Sequence, residues 1–162
     1  MGHETVAAAI TIVPALFPRD GQAIVELFRS YQASLSVDLC FQGFEQEMAR
    51  LPGDYAAPNG CLLLARLDAE PVGCVALRRQ DAEVGEMKRL FIRPAARGHG
   101  IGARLVDAII AEARAIGYRR LCLDTLPEMV RAQALYEARG FRPVEPYTFN
   151  PVPGVKYLGL EL

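Results

Sequence analysis

The chain has 162 residues, enough for one domain with a sizeable core and too few for two full catalytic domains. Hydrophobic residues make up 51% and charged residues 23%, which excludes a disordered chain. With 18 basic and 19 acidic residues the net charge is −1, so overall charge draws the protein to neither nucleic acid nor an anionic membrane, and any anionic ligand must be held locally.

At the N-terminus, Glu4 and the absence of a basic stretch before Ala7-Ala8-Ala9-Ile10 argue against a signal peptide, and Pro14 and Pro18 soon break the apolar run. No apolar run approaches the roughly 18 residues of a membrane span, so a cytoplasmic protein without membrane attachment is expected. Ile10 to Val13 reads as a first strand. From Arg19 to Leu35 the residues Ile24, Leu27, Phe28 and Tyr31 recur three and four apart, the spacing of one helix face. Phe44 to Leu51 is a shorter helical candidate ended by Pro52-Gly53.

Three strand candidates follow: Cys61 to Ala65, Val72 to Leu77 and Val84 to Ile92, joined by turns at Asp68-Ala69-Glu70-Pro71 and near Asp81. Connections this short require antiparallel pairing, because a parallel crossover takes a dozen or more residues. Gly102 to Ile116 is the clearest helix, with Leu105, Val106, Ile109, Ile110 and Ala113 in one stripe and Gly117 as its stop. Leu121 to Leu123 reads as a strand, Met129 to Arg139 as a helix closed by Gly140, and Val155 to Leu162 as a last strand. The expectation is one mixed α/β domain over residues 1–162, its sheet antiparallel in the first half, with helices on both faces.

Cys40, Cys61, Cys74 and Cys122 form no CxxC pair and have no histidine at ligand spacing, so neither a zinc site nor any other metal site is expected. The chemistry concentrates between Glu86 and Gly102. There Val84 to Ile92 leads through Arg93-Pro94-Ala95-Ala96 into Arg97-Gly98-His99-Gly100-Ile101-Gly102, and a helix follows at once. Glycines at a helix start let successive main-chain N–H groups point at a phosphate or pyrophosphate, helped by the helix dipole, and Arg97 adds a charge-assisted contact.

Gly98 to Ala103 also satisfies the dinucleotide pattern G-x-G-x-x-A, with Asp124 placed for a ribose. Against that rival, five residues separate strand from glycine, and the preceding strands are antiparallel. A P-loop is excluded because no G-K-[ST] follows.

This segment resembles the phosphate loop [QR]-x-x-G-x-[GA] of the GNAT superfamily of N-acetyltransferases, and Leu135-Tyr136-Glu137-Ala138-Arg139-Gly140-Phe141 resembles its second signature, L-Y-x-x-x-G-F. The likeness covers about residues 60 to 142. It implies a GNAT-like mixed sheet and acetyl-CoA as co-substrate. It implies that main-chain groups of Leu90 and Ile92, flanking Phe91, hold the pantetheine arm. Amides from Arg97 through Gly98, His99, Gly100, Ile101 and Gly102 to Ala103 would hold the pyrophosphate.

Glu86, eleven residues before Arg97, matches the position of a catalytic glutamate in some members, and Tyr136 matches a frequent general acid. Met129 stands where many relatives keep an asparagine, seven residues before the tyrosine. A structural reading of Glu86 pairs it with Lys88 or Arg89, and His99 is read as projecting from the loop. The expected reaction is direct transfer of an acetyl group from acetyl-CoA to a primary amine, small molecule or peptide, in a ternary complex. A non-catalytic acyl-CoA sensor is the alternative. Acceptor residues are expected from Leu35 to Asn59 and from the tail Asn150 to Gly154; a homodimer is left open.

Overall fold

The computed structural model describes residues 9–36, 38 and 43–162, so the readings of Ala7-Ala8 and Cys40 lie outside the described residues. Strand β1 (Ile10–Pro14) is followed by helices α1 (Gly21–Ser34) and α2 (Phe44–Ala49) and a single 3-10 turn at Gly53–Tyr55. The meander β2 (Cys61–Leu67), β3 (Glu70–Arg79) and β4 (Val84–Ile92) comes next, as the short turns require. A 3-10 turn at Pro94–Ala96 leads to α3 (Ile101–Ile116), then β5 (Arg120–Thr125), α4 (Val130–Ala138), β6 (Arg142–Pro143) and β7 (Lys156–Glu161). The two-residue β6, too short to carry a periodic signal, is the strand that the sequence pattern does not show.

The seven strands form one mixed sheet in the order β1-β2-β3-β4-β5-β7-β6. Every pairing is antiparallel except β4 with β5. Each face carries its own core. On one, α3 and α4 cover Leu63, Val75, Leu77 and Met87, with Leu105, Val106, Ile109 and Ala113 of the expected α3 stripe fully buried. Burying side chains of that size contributes roughly 2 kcal/mol each. On the other face, α1 and α2 bring Ile24, Leu27, Phe28, Phe44 and Met48 against Leu62, Leu64, Cys74 and Ala76. Gly117 closes α3 at φ 108°, and its N–H reaches the carbonyls of Ala113 and Arg114.

Strand β4 is irregular in two respects. Opposite Val75 of β3 it carries Arg89 and Leu90, an extra residue that makes a bulge, with Arg89 in the left-handed region at φ 62°. Because side chains alternate along a strand, the bulge changes the parity: Glu86 and Lys88 face the α1 side, whereas Leu90 and Ile92 pack on the α3 side. In addition, the β4–β5 ladder runs only from Val84–Arg120 to Glu86–Cys122. Beyond that rung the two strands part.

Candidate active site

The parting of β4 and β5 opens a cavity of about 780 Å³. Its walls are β4 from Met87 to Ile92, the loop and first turn of α3, the end of β5, and the start and inner face of α4; Tyr31, Ser34 and Leu35 of the α1 end close one side. The β4 edge past Glu86 has lost its β5 partner, so main-chain groups there are available to an extended ligand. Leu90, Phe91 and Ile92 all line this stretch.

The glycine loop stands at one end of the opening. Gly98 and Gly100 adopt φ 91° and 72°, values that L side chains rarely take, and a Cβ at either would meet no atom within 4 Å. Conformation, not crowding, requires glycine there, and the loop leaves room for a ligand above it. The first intrahelical bond of α3 is from Arg104 N–H to the Gly100 carbonyl at 3.2 Å, and no side chain caps the helix. The N–H groups of Ile101, Gly102 and Ala103 are therefore left for an outside acceptor, at the positive end of the helix dipole. Arg97, Gly98, Gly100, Ile101, Gly102 and Ala103 all border the cavity; the exposed His99 does not. This donor set fits a pyrophosphate, which needs several N–H donors and a cation and no metal.

Across the cavity, Tyr136 of α4 is buried against Phe141, their ring centroids 5.7 Å apart. Burial raises its phenol well above the ordinary range, so it is a proton donor and not a phenolate. Among the described residues no group hydrogen-bonds its hydroxyl, and Tyr136 lines the cavity. Met129, the residue before α4, also lines it and accepts the Thr125 hydroxyl on sulfur at 3.7 Å. The carbonyls of Leu126 and Pro127 at this turn are held by Gln133, whose Nε2 donates to them at 2.8 and 3.4 Å while Lys156 donates to its Oε1 at 3.1 Å.

Glu86 is 0% exposed and lies outside the cavity lining. Its partners are neither Lys88 nor Arg89. Arg78 Nε donates to Oε1 at 2.7 Å, and the Tyr147 hydroxyl donates to Oε2 at 2.7 Å. Burial first, then the Glu86 carboxylate, keeps the Tyr147 phenol well above its usual range and fixes it as the donor. Arg89 turns to Glu47 of α2 instead, through Nε–Oε2 at 2.9 Å and Nη2–Oε1 at 3.2 Å, with its guanidinium 5.2 Å from the Phe44 ring centroid.

Two carboxylates do border the cavity, Asp124 at the end of β5 and the exposed Glu128 in the turn before α4. Asn150 Nδ2 of the tail donates to Asp124 Oδ2 at 3.0 Å. Sequence reasoning weighs Asp124 only as a ribose ligand and Lys88 only as a partner of Glu86, whereas Lys88 lines the cavity from β4. The strand alternation from Glu86 is the signal for Lys88. Nothing local signals Arg78 or Tyr147, which reach Glu86 from the neighbouring strand and from 61 residues away. Cys74 and Cys122 offer no nucleophile: burial pushes both thiols up to about 12, and neither lines the cavity. Among the described residues no group of three or more metal-ligating side chains is found, and no helix is long and apolar enough to cross a membrane.

The profile of the Acetyltransferase (GNAT) family matches residues 23–141. An uncharacterized N-acetyltransferase of Schizosaccharomyces pombe is 37% identical over 155 residues, covering 94% of this chain and 95% of its own length. In fold, an acetyltransferase from Streptococcus agalactiae superposes with TM-score 0.78 at 24% identity, covering 94% of this chain and 98% of that one. A Salmonella typhimurium acetyltransferase whose structure holds its cofactor acetyl-CoA superposes with TM-score 0.69 at 19% identity, covering 94% of both chains.

Proposed function

The chain belongs to the GNAT family of acetyltransferases and is an acyltransferase enzyme; we propose that it moves an acetyl group from acetyl-CoA to a primary amine by direct attack in a ternary complex. The observation that carries this reading is the shared cavity into which the uncapped α3 N-terminus, the β4 edge without its β5 partner and Tyr136 all open. In it, amides from Arg97 to Ala103 hold the pyrophosphate, and Leu90 and Ile92 hold the pantetheine arm by main-chain bonds. Acetyl-CoA supplies an activated thioester. Against a non-catalytic acyl-CoA sensor stand the ionisable groups that share this cavity with the loop.

The protein then has two tasks. It aligns the amine with the thioester, a contribution of roughly 7–11 kcal/mol when orientation is good. It also removes a proton, since an amine of pKa about 10.4 stays charged at pH 7 at a cost of about 5 kcal/mol. Direct proton abstraction needs hydrogen-bond reach. Glu86 is the base that the family resemblance implies, but both its oxygens are engaged and it lies off the cavity, so we place that task on Asp124 and keep Glu86 as the anchor of Arg78 and Tyr147. Tyr136 donates to the departing sulfur. Because a thiol of pKa about 8.5 leaves readily, this donor matters less than alignment.

The experiment is a pH–rate series with an amine that releases CoA. Asp124→Asn is expected to lower kcat/KM about 100-fold and remove the acid limb, and Tyr136→Phe to lower kcat about tenfold or less. Glu86→Gln is expected to keep the limb. If Glu86→Gln removes the limb and Asp124→Asn does not, the base is Glu86.

A further inference from the structure

Lys88 stands out among the charged groups of the α1 face. It is 9% exposed, it lines the cavity, and it takes part in none of the hydrogen bonds or ion pairs formed among the described residues. Every other buried or half-buried charge around it is engaged: Glu86 with Arg78 and Tyr147, Arg89 with Glu47, Asp124 with Asn150. Burial makes its ammonium costly and lowers the Lys88 pKa, an effect that the nearby charges of Glu86 and Asp124 offset only in part. A fold that serves only itself gains nothing from such a group.

Its position says what could engage it. The last β4–β5 rung joins Glu86 to Cys122, so Lys88 and Asp124 are each two residues past it, on opposite lips of the opening and, by strand alternation, on the same α1 face. Arg97 and the amides that suit a pyrophosphate are at the α3 N-terminus, past the far end of β4 beyond Ile92, so Lys88 is not part of that anion site. Of the charged groups that line the cavity, which also include Arg89, Arg97, Glu128 and Arg131, Lys88 and Asp124 are thus the cation and the carboxylate on opposite strands of a gap that starts from the inter-strand spacing of about 4.8 Å. That charge pattern is the complement of a small zwitterion.

We propose that the acceptor is a free amino acid, its amine directed to Asp124 and its carboxylate held by Lys88. This acceptor class presupposes the acetyl transfer proposed above and adds to it the anionic group that the amine must carry. No covalent step is added: the amine nitrogen forms the amide, its proton goes to Asp124, and the carboxylate stays unchanged. Lys88 acts on binding and orientation.

The test compares matched acceptors with the full chain and acetyl-CoA, reading CoA release. Each of the common amino acids is set beside its methyl ester and its decarboxylated amine, with wild type and Lys88→Met. Wild type is expected to favour at least one free amino acid over its ester and amine by tenfold or more in kcat/KM. Lys88→Met is expected to bring that ratio near one, chiefly through KM for the acid, and to raise the melting temperature of the ligand-free chain because a charge that burial disfavours is gone. A lysine with a structural role would lower it instead.

Esters or decarboxylated amines preferred by wild type, or a preference for the acid that survives in Lys88→Met, would overturn the assignment. So would turnover of no amino acid while acetyl-CoA still raises the melting temperature, an outcome that leaves the cofactor site standing. No thermal shift with acetyl-CoA would instead remove the cofactor reading on which the acceptor class depends.

Discussion

On the α3 side of the β4–β5 opening, the groups offered to a ligand are main-chain amides of residues that follow one another from Arg97 to Ala103. On the α1 side they are side chains drawn from separate elements: Tyr31 of α1, Lys88 of β4 and Asp124 of β5, the last steadied by Asn150 of the tail. The first half of the site needs only a local backbone path. The second needs several strands to be in register at once. The difference teaches where each half is fragile: the loop through its conformation, the α1 side through the pairing of its buried charges.

Gly100→Val attacks the backbone-built half and should have the largest effect. A β-branched residue at φ 72° is strained by about 2 kcal/mol, and its side chain enters the space above the loop. Catalytic efficiency should fall at least about 100-fold, and the rise in melting temperature on adding acetyl-CoA should vanish. A variant that keeps that rise would show that the loop does not hold the cofactor.

Arg78→Met attacks the side-chain half. It leaves the Glu86 carboxylate buried beside Tyr147 without its hydrogen-bonded cation, which should cost about 3 kcal/mol in urea denaturation. Adding Glu86→Gln should recover much of that loss, and the double-mutant cycle measures how much of the cost is the orphaned charge. Additive effects would mean that the two residues do not act as a pair.

The smallest effect concerns pH. Burial holds the folded-state pKa of Lys88 below its ordinary 10.5; Glu86 and Asp124 pull it back up, and Arg89 and Arg78 push it down. Between the folded pKa and 10.5 the unfolded chain binds the proton that the folded chain has lost, so stability rises with pH across that window. Below the folded pKa the penalty is complete. The stability advantage of Lys88→Met over wild type should therefore shrink as pH is raised from about 7 toward 10.5. An advantage that grows over this range would mean that the ammonium is stabilised in the fold.

The same contrast governs how much could be read without coordinates. The loop, the α3 stripe and the antiparallel meander were legible because glycine conformation, a 3.6-residue period and short turns are properties of adjacent residues. Glu86 shows the limit. Its place in the chain suggested either a base or a carboxylate paired with Lys88 or Arg89, yet Arg78 of β3 and Tyr147 of the tail take both its oxygens. The β4 bulge, with a non-glycine at φ 62°, gave no local sign, although it decides which of Lys88 and Leu90 faces the α1 side.

The sequence by itself determined the antiparallel first half of the sheet, the glycine loop and the helix behind it, because each follows from the chemistry of a few consecutive residues. The tertiary structure alone decided that β4 and β5 part after Glu86, that Glu86 is sealed from the cavity, and that Lys88 and Asp124 line it from opposite strands. Strand register and burial set those outcomes, and both depend on contacts between residues far apart in the chain.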